Sequence, residues 1–228
     1  MKQEILKRIK NGIIVSCQPD EFGLFSDVKF IVEFAVSAEL GGAVAVRIEG
    51  VESIRAVKSK VKIPVIGIIK DKYPGGDVLI TPDLVSVQKI IEAGADVVAI
   101  DVTARDERFD IFKRVRENYK NVILMADVST YEEGIKSAEL GADMIATTLA
   151  GYTPYTRHSY KKYEPDFELV HKLSSSLDVP IVAEGRIWTV EQVKKMFDLG
   201  AFAVVIGSVV TRPRLIVQRF VEKIGSTE

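Results

Sequence analysis

Short apolar runs rich in β-branched residues alternate along this chain with longer segments whose apolar positions recur at helical spacing. Four stretches share one phrase: ELGGAVAVRIEG (39–50), EAGADVVAID (92–101), ELGADMIATT (139–148) and DLGAFAVVIGS (198–208). Each reads as a helix end, a glycine that supplies a left-handed cap, and a strand apolar enough to be buried on both faces. Between them stand IIVSCQ (13–18), PVIGIIK (64–70), VILMADV (122–128) and PIVAEG (180–185), which brings the predicted strands to eight. The intervening segments are amphipathic. In ITPDLVSVQKIIEAG, for example, Thr81 is the expected cap, Pro82 the first helical residue, and Leu84, Val87, Ile90 and Ile91 the buried stripe.

Eight strands alternating with helices over residues 1–228 predict a single-domain parallel (β/α)8 barrel, with a doubly wound open sheet as the alternative. The expected cap glycines Gly41, Gly94, Gly141 and Gly200 are 53, 47 and 59 residues apart, so each interval holds two βα units, a spacing that favours closure. No G-x-G-x-x-G fingerprint follows the first strand, which argues against a dinucleotide site.

In such a barrel side chains alternate between the interior and the helical shell, and sites form at the C-terminal ends of the strands. Counting back by twos puts Ser16 and Gln18, Ala45 and Arg47, Ile68 and Lys70, Met125 and Asp127, and Val182 and Glu184 on one face of their strands. Five strands therefore end in polar residues that converge over an apolar floor. Lys70 and Glu184 stand four strands apart in a ring of eight, opposite one another across the mouth, where a lysine and a carboxylate can exchange protons with two faces of one carbon. The alternative is a buried ion pair with no catalytic task. Cys17 falls on the opposite face and reads as a small buried hydrophobe.

Composition narrows the partners. Thirty-one Lys+Arg against 32 Asp+Glu give a near-neutral chain, a poor match for nucleic acid. No run of 18 apolar residues and no secretion-signal pattern occurs, so a cytoplasmic protein without membrane association is expected. A lone cysteine and two histidines, His158 and His171, leave no Cys/His metal cluster, and no metal or cofactor is expected. The loops EGR and IGSVVTRP follow strands seven and eight, where barrels of this kind commonly bind phosphate. Gly185, Gly207 and Ser208 are suitable backbone donors, Arg212 a charged clamp, and Arg186 either a second clamp or a rim residue.

Taken in order, IVSCQ, VRIEG, PVIGIIK, LITP, MADVSTYEEG, ATTLAGYTPY, VAEGR and VIGSVVTRP resemble the N-acetylmannosamine-6-phosphate 2-epimerase family over residues 13–213. The resemblance implies a cofactor-independent barrel of the ribulose-phosphate-binding type. It would interconvert N-acetylmannosamine 6-phosphate and N-acetylglucosamine 6-phosphate in sialic acid breakdown, as a homodimer. It further implies that Lys70 is the catalytic lysine and Glu184 its partner carboxylate, that Gln18, Arg47 and Asp127 contact the sugar and its N-acetyl group, and that Arg212 lies at the phosphate end. Trp188, Val190 and Val209 depart from the family pattern in loop residues. Rival readings are an aldolase that uses Lys70 as a Schiff base, a histidine-ligated metal-dependent 3-epimerase, and a sugar-phosphate sensor that binds without turnover.

Overall fold

The apolar runs pair side by side into one closed parallel ring: β1 (Ile13–Cys17), β2 (Ala45–Glu49), β3 (Val65–Ile68), β4 (Val97–Asp101), β5 (Ile123–Asp127), β6 (Met144–Ala146), β7 (Ile181–Glu184) and β8 (Ala203–Ile206). The seam that closes it joins β1 to β8, with Ile13 beside Val204 and Val15 beside Ile206. This computed structural model describes residues 2–19, 22–72, 78–103, 106–159 and 161–225. Around the ring pack α2 (Val28–Leu40), α3 (Val51–Lys58), α4 (Leu84–Glu92), α5 (Asp106–Asn118), α6 (Tyr131–Glu139), α7 (Phe167–Ser176) and α8 (Val190–Asp198), followed by α9 (Ser208–Thr211) and α10 (Pro213–Gly225). The architecture is the predicted (β/α)8 barrel.

Strand periodicity creates two apolar layers. Ile14, Ala45, Ile66, Ile68, Val97, Ala99, Met125, Val182 and Val205 fill the interior. The alternate residues, among them Cys17, Val46, Ile48, Val98, Leu124 and Val204, meet the helices. Cys17 is fully buried there, and burial pushes its thiol up to about 12, so it is protonated and unreactive near neutral pH. An N-terminal helix, α1 (Lys2–Ile9), closes the bottom of the ring with Ile9 fully buried and Ile5 and Leu6 packed against the interior layer. Gly67 is required by close approach: a Cβ there would stand 2.5 Å from Ile90 Cγ2 and 2.9 Å from the Cβ of Ala95.

Three local expectations are corrected. The left-handed cap of α2 is Gly42 (φ 90°), because Gly41 (φ −77°) adds one more right-handed residue and donates to Ser37 O; Gly94, Gly141 and Gly200 are left-handed as expected. Helix α4 is capped by Asp83, whose carboxylate accepts from Ser86 N at 2.7 Å. A charged acceptor suits a helix N-terminus better than a hydroxyl, and Thr81 is engaged elsewhere: its N–H donates to Ile69 O and its hydroxyl accepts from Ile69 N. Finally, Lys70 does not end β3. The strand stops at Ile68, and Lys70 opens a two-stranded antiparallel hairpin (Lys70–Lys72 with Val78–Ile80) in which it pairs with Ile80. No helix among the described residues is long and apolar enough to cross a membrane.

Candidate active site

A cavity of about 700 Å³ opens at the C-terminal ends of the strands, large enough for a phosphorylated sugar. Its floor is apolar, with Ile68, Ile80 and Val205, and its wall carries Gln18, Arg47, Lys70 and Glu184. Parity of the strands explains this. Arg47 continues the inward set begun by Ala45, and Glu184 that begun by Val182.

Arg47 is the hub. Its guanidinium is fully buried and forks onto Asp127, with Nη1 donating to Oδ1 at 3.1 Å and Nη2 to Oδ2 at 2.6 Å. Nη1 also lies 3.3 Å from Glu184 Oε2. Nε has no hydrogen-bond partner among the described residues. Burial opposes the charge on Arg47, but the Asp127 and Glu184 carboxylates outweigh it and hold the guanidinium firmly protonated. Asp127 is fully buried behind the cavity wall, touching Arg47 and Thr148.

Thr148 connects the two carboxyl groups, with its Oγ1 2.8 Å from Asp127 Oδ1 and 2.9 Å from Glu184 Oε2. One hydroxyl proton cannot serve two carboxylates at once. Both contacts are satisfied when Glu184 is protonated and donates to Thr148, which donates onward to Asp127. The electrostatics point the same way. Burial raises the Glu184 pKa and Asp127 raises it further, with Arg47, the Thr148 hydrogen bond and Lys70 pulling against them.

Lys70 shifts in the opposite sense. Burial lowers its pKa, Arg212 and Arg47 push it lower, and Glu49 and Glu184 counteract. Lys70 and Glu184 line the same cavity without forming an ion pair, so the inert buried pair weighed against a functional reading is not what the structure contains. Gln18 is nearly buried, lines the cavity, and its Nε2 donates to Ser16 Oγ at 2.7 Å.

All five residues expected at a phosphate line this cavity: Gly185, Arg186, Gly207, Ser208 and Arg212. Gly185 is left-handed (φ 110°), a conformation that favours glycine, and a Cβ on Gly207 would come within 3.1 Å of Ser16 Cβ, a tight approach. Arg186 is a rim residue. Its Nε donates to Glu164 O at 2.9 Å and its guanidinium stacks over Tyr152. Trp188 lines the cavity edge-on to Tyr163, ring centroids 5.3 Å apart, while Val190 is the exposed first residue of α8. His158 and His171 are both exposed, away from the strand ends that a metal-ligating pair would occupy.

Sequence reading missed two inward groups. Thr148 follows a strand of only three residues, too short to show a period. Asp101 was within reach, since Val97, Ala99 and Asp101 follow the same parity. It is fully buried beside Asp127 in the register, accepts from Thr103 N and Thr103 Oγ1, and is pushed by burial up to about 6. A carboxyl whose folded pKa exceeds its unfolded value favours the fold below the unfolded value and loses that contribution as pH rises through the folded one. Stability should therefore fall by about 2 to 3 kcal/mol between pH 4 and pH 6 on this account alone. Asp101→Asn should flatten that part of the urea-midpoint profile; an identical slope in the variant would assign the pH dependence to another group.

Comparisons with known proteins agree on one family. A family profile described as "Putative N-acetylmannosamine-6-phosphate epimerase" matches residues 31–226. A protein of Caldanaerobacter subterraneus subsp. tengcongensis named "Putative N-acetylmannosamine-6-phosphate 2-epimerase" is 47% identical over 226 residues, covering 97% of this chain and 94% of the relative. A Clostridioides difficile protein of the same name is 40% identical, covering 96% and 99%. Among solved structures, the N-acetylmannosamine-6-phosphate 2-epimerase from Clostridium perfringens superposes with a TM-score of 0.87 at 36% identity, over 96% of this chain and 95% of that one. A thiamine phosphate pyrophosphorylase from Pyrococcus furiosus shares only the fold, with 18% identity, a TM-score of 0.63 and coverage of 93% and 98%.

Proposed function

We propose, from the premise that this chain belongs to the N-acetylmannosamine-6-phosphate epimerase family, that it interconverts N-acetylmannosamine 6-phosphate and N-acetylglucosamine 6-phosphate by moving the proton on C2. The observation that carries the mechanism is the opposed shift of two groups lining one cavity: burial drives Lys70 toward its neutral form and Glu184 toward its protonated form. A lysine pushed toward neutrality and a carboxyl pushed toward protonation on one cavity wall suit an acid–base isomerisation.

The C2 proton is acidic only when C1 is an open-chain aldehyde, so ring opening comes first. Glu184, in its protonated form, gives its proton to the ring oxygen as the bond between C1 and that oxygen breaks, and the C1 hydroxyl loses its proton to water to become the aldehyde oxygen. Lys70 then removes the C2 proton. The resulting enolate carries its charge on the C1 oxygen, and the buried Arg47 cation in the cavity wall is a fixed positive charge suited to stabilise it, the contribution that is usually largest in such reactions. Asp127 and Thr148 hold Arg47 and Glu184 in place. Returning the proton to the opposite face gives the epimer. Gln18 contacts the sugar, and Arg212 with the backbone amides around Gly185, Gly207 and Ser208 holds the phosphate. None of these steps calls for a cofactor.

Phosphorylated sugars do not cross bilayers unaided, which supports a reaction in the cytoplasm. A homodimer is supported by the outer face of α10, where Val217, Phe220, Val221 and Ile224 are 60–75% exposed. Sedimentation at micromolar concentration should give twice the chain mass, and a monomer would refute it.

Proton NMR of the protein with N-acetylmannosamine 6-phosphate in deuterated water tests the reaction directly. The gluco epimer should accumulate without added metal and its C2 proton signal should be missing. A folded protein that produces no epimer rules the activity out.

A further inference from the structure

Arg108 lies on α5, outside the cavity, is only 3% exposed and spends its guanidinium on backbone carbonyls. Nε donates to Asp101 O at 2.8 Å, Nη1 to Pro82 O at 2.6 Å, and Nη2 to Thr81 O at 2.9 Å and Ile80 O at 3.2 Å. These carbonyls come from two places: the end of β4, and the exit of the hairpin that Lys70 opens.

The second contact set leads to Lys70. Ile80 is the antiparallel partner of Lys70, and Thr81 N donates to Ile69 O at 2.7 Å while the Thr81 hydroxyl accepts from Ile69 N. Thr81 also holds a left-handed backbone (φ 52°), which a β-branched residue adopts only at a cost and under restraint from its surroundings. Arg108 supplies that restraint, with a donor on the carbonyl of each residue from Ile80 to Pro82. A hairpin of three-residue strands has little intrinsic stability.

We infer that Arg108 is a positioning residue: by clamping the Ile80–Thr81–Pro82 carbonyls to the end of β4, it fixes the hairpin that presents Lys70 to the cavity. The inference rests on the reading of Lys70 as the base. Displacing a base by about 1 Å costs on the order of 100-fold in rate. Release of the hairpin also hydrates Lys70, which faces Glu49, Glu184, Arg47 and Arg212. Loss of burial raises its pKa, so the acid limb of the rate profile moves to higher pH.

The test is Arg108→Met beside Arg108→Lys, with three readouts. We expect kcat to fall about 10- to 100-fold in Arg108→Met, KM to change less than about threefold, and the acid limb of kcat to shift upward. Arg108→Lys, which keeps a donor, should recover part of the loss. Amide hydrogen exchange of the ligand-free protein should be faster at Thr81, whose N–H donates to Ile69 O, and unchanged in β5 to β8. A folded Arg108→Met with wild-type kcat and acid limb overturns the clamp, as does a rate loss with Thr81 still protected. If Arg108→Met does not fold, Arg108→Lys decides alone: unaltered exchange at Thr81 overturns the proposal. Hydrogen exchange requires no turnover, so absence of epimerase activity in the wild type would refute the functional reading while leaving the clamp measurable.

Discussion

Lys70→Ala should epimerise N-acetylmannosamine 6-phosphate about 10²- to 10⁴-fold more slowly than the unaltered protein, the span that a positioned acid–base group contributes. Substrate binding should survive, because Arg212, Gln18 and the glycine backbone remain in the cavity wall. The loss should therefore appear in kcat rather than KM, and deuterium should no longer enter C2 from solvent. Lys70→Arg sharpens the point. It keeps the positive charge but cannot be deprotonated near neutral pH, so it should be as inactive as the alanine variant if the lysine works as a base. An arginine variant within tenfold of the wild type would mean that the charge alone matters. A Schiff-base role is separated by borohydride: reduction in the presence of substrate should leave Lys70 unmodified.

Arg47→Met should be the most destabilising substitution in the site. Arg47 and Asp127 are both fully buried, and Arg47 also approaches Glu184, so removing the cation strands two carboxyl groups away from water. Breaking such a pair from one side costs about 3–5 kcal/mol. The deficit should depend on pH with a defined sign. The Glu184 pKa is already raised by burial, and loss of Arg47 removes the strongest force opposing that rise. A group with a raised folded pKa stabilises the fold at low pH and ceases to do so as pH climbs through that pKa. The urea midpoint of the variant should thus lie furthest below wild type at pH 8 and approach it near pH 4. A constant gap would show that lost packing, not stranded charge, is the cause. Adding Asp127→Leu should restore part of the stability, since one stranded carboxylate is gone.

The barrel and most of its mouth could be read from the chain because a strand has a period of two. Once the apolar residues of β2, β5 and β7 are assigned to the interior, the faces of Arg47, Asp127 and Glu184 follow. What escaped is what periodicity does not carry. The hairpin of Lys70 consists of three-residue strands whose pairing is decided by tertiary contacts, so Lys70 read as the end of β3. Thr81 read as a helix cap because its hydroxyl could serve either role; the stronger acceptor, Asp83, left it to the hairpin. Tandem glycines at 41 and 42 differ in no local property, and only the path of the chain selects Gly42. The role of Arg108 was not legible either, because its partners are carbonyls, which every residue carries and no side-chain pattern announces.

The seam between β1 and β8 bears on how the chain leaves the ribosome. The strand nearest the N-terminus has its second neighbour at residues 203–206, at the far end of the sequence. Until those residues emerge, the nascent sheet is an open arc with two unpaired edges, an invitation to pair with other chains. The N-terminal helix that closes the bottom of the ring is made before the strands it covers, yet its packing beside Phe202 exists only once that residue has emerged. Translation that stalls shortly before residue 203 should leave a chain holding seven of the eight strands that depends on a chaperone to remain in solution.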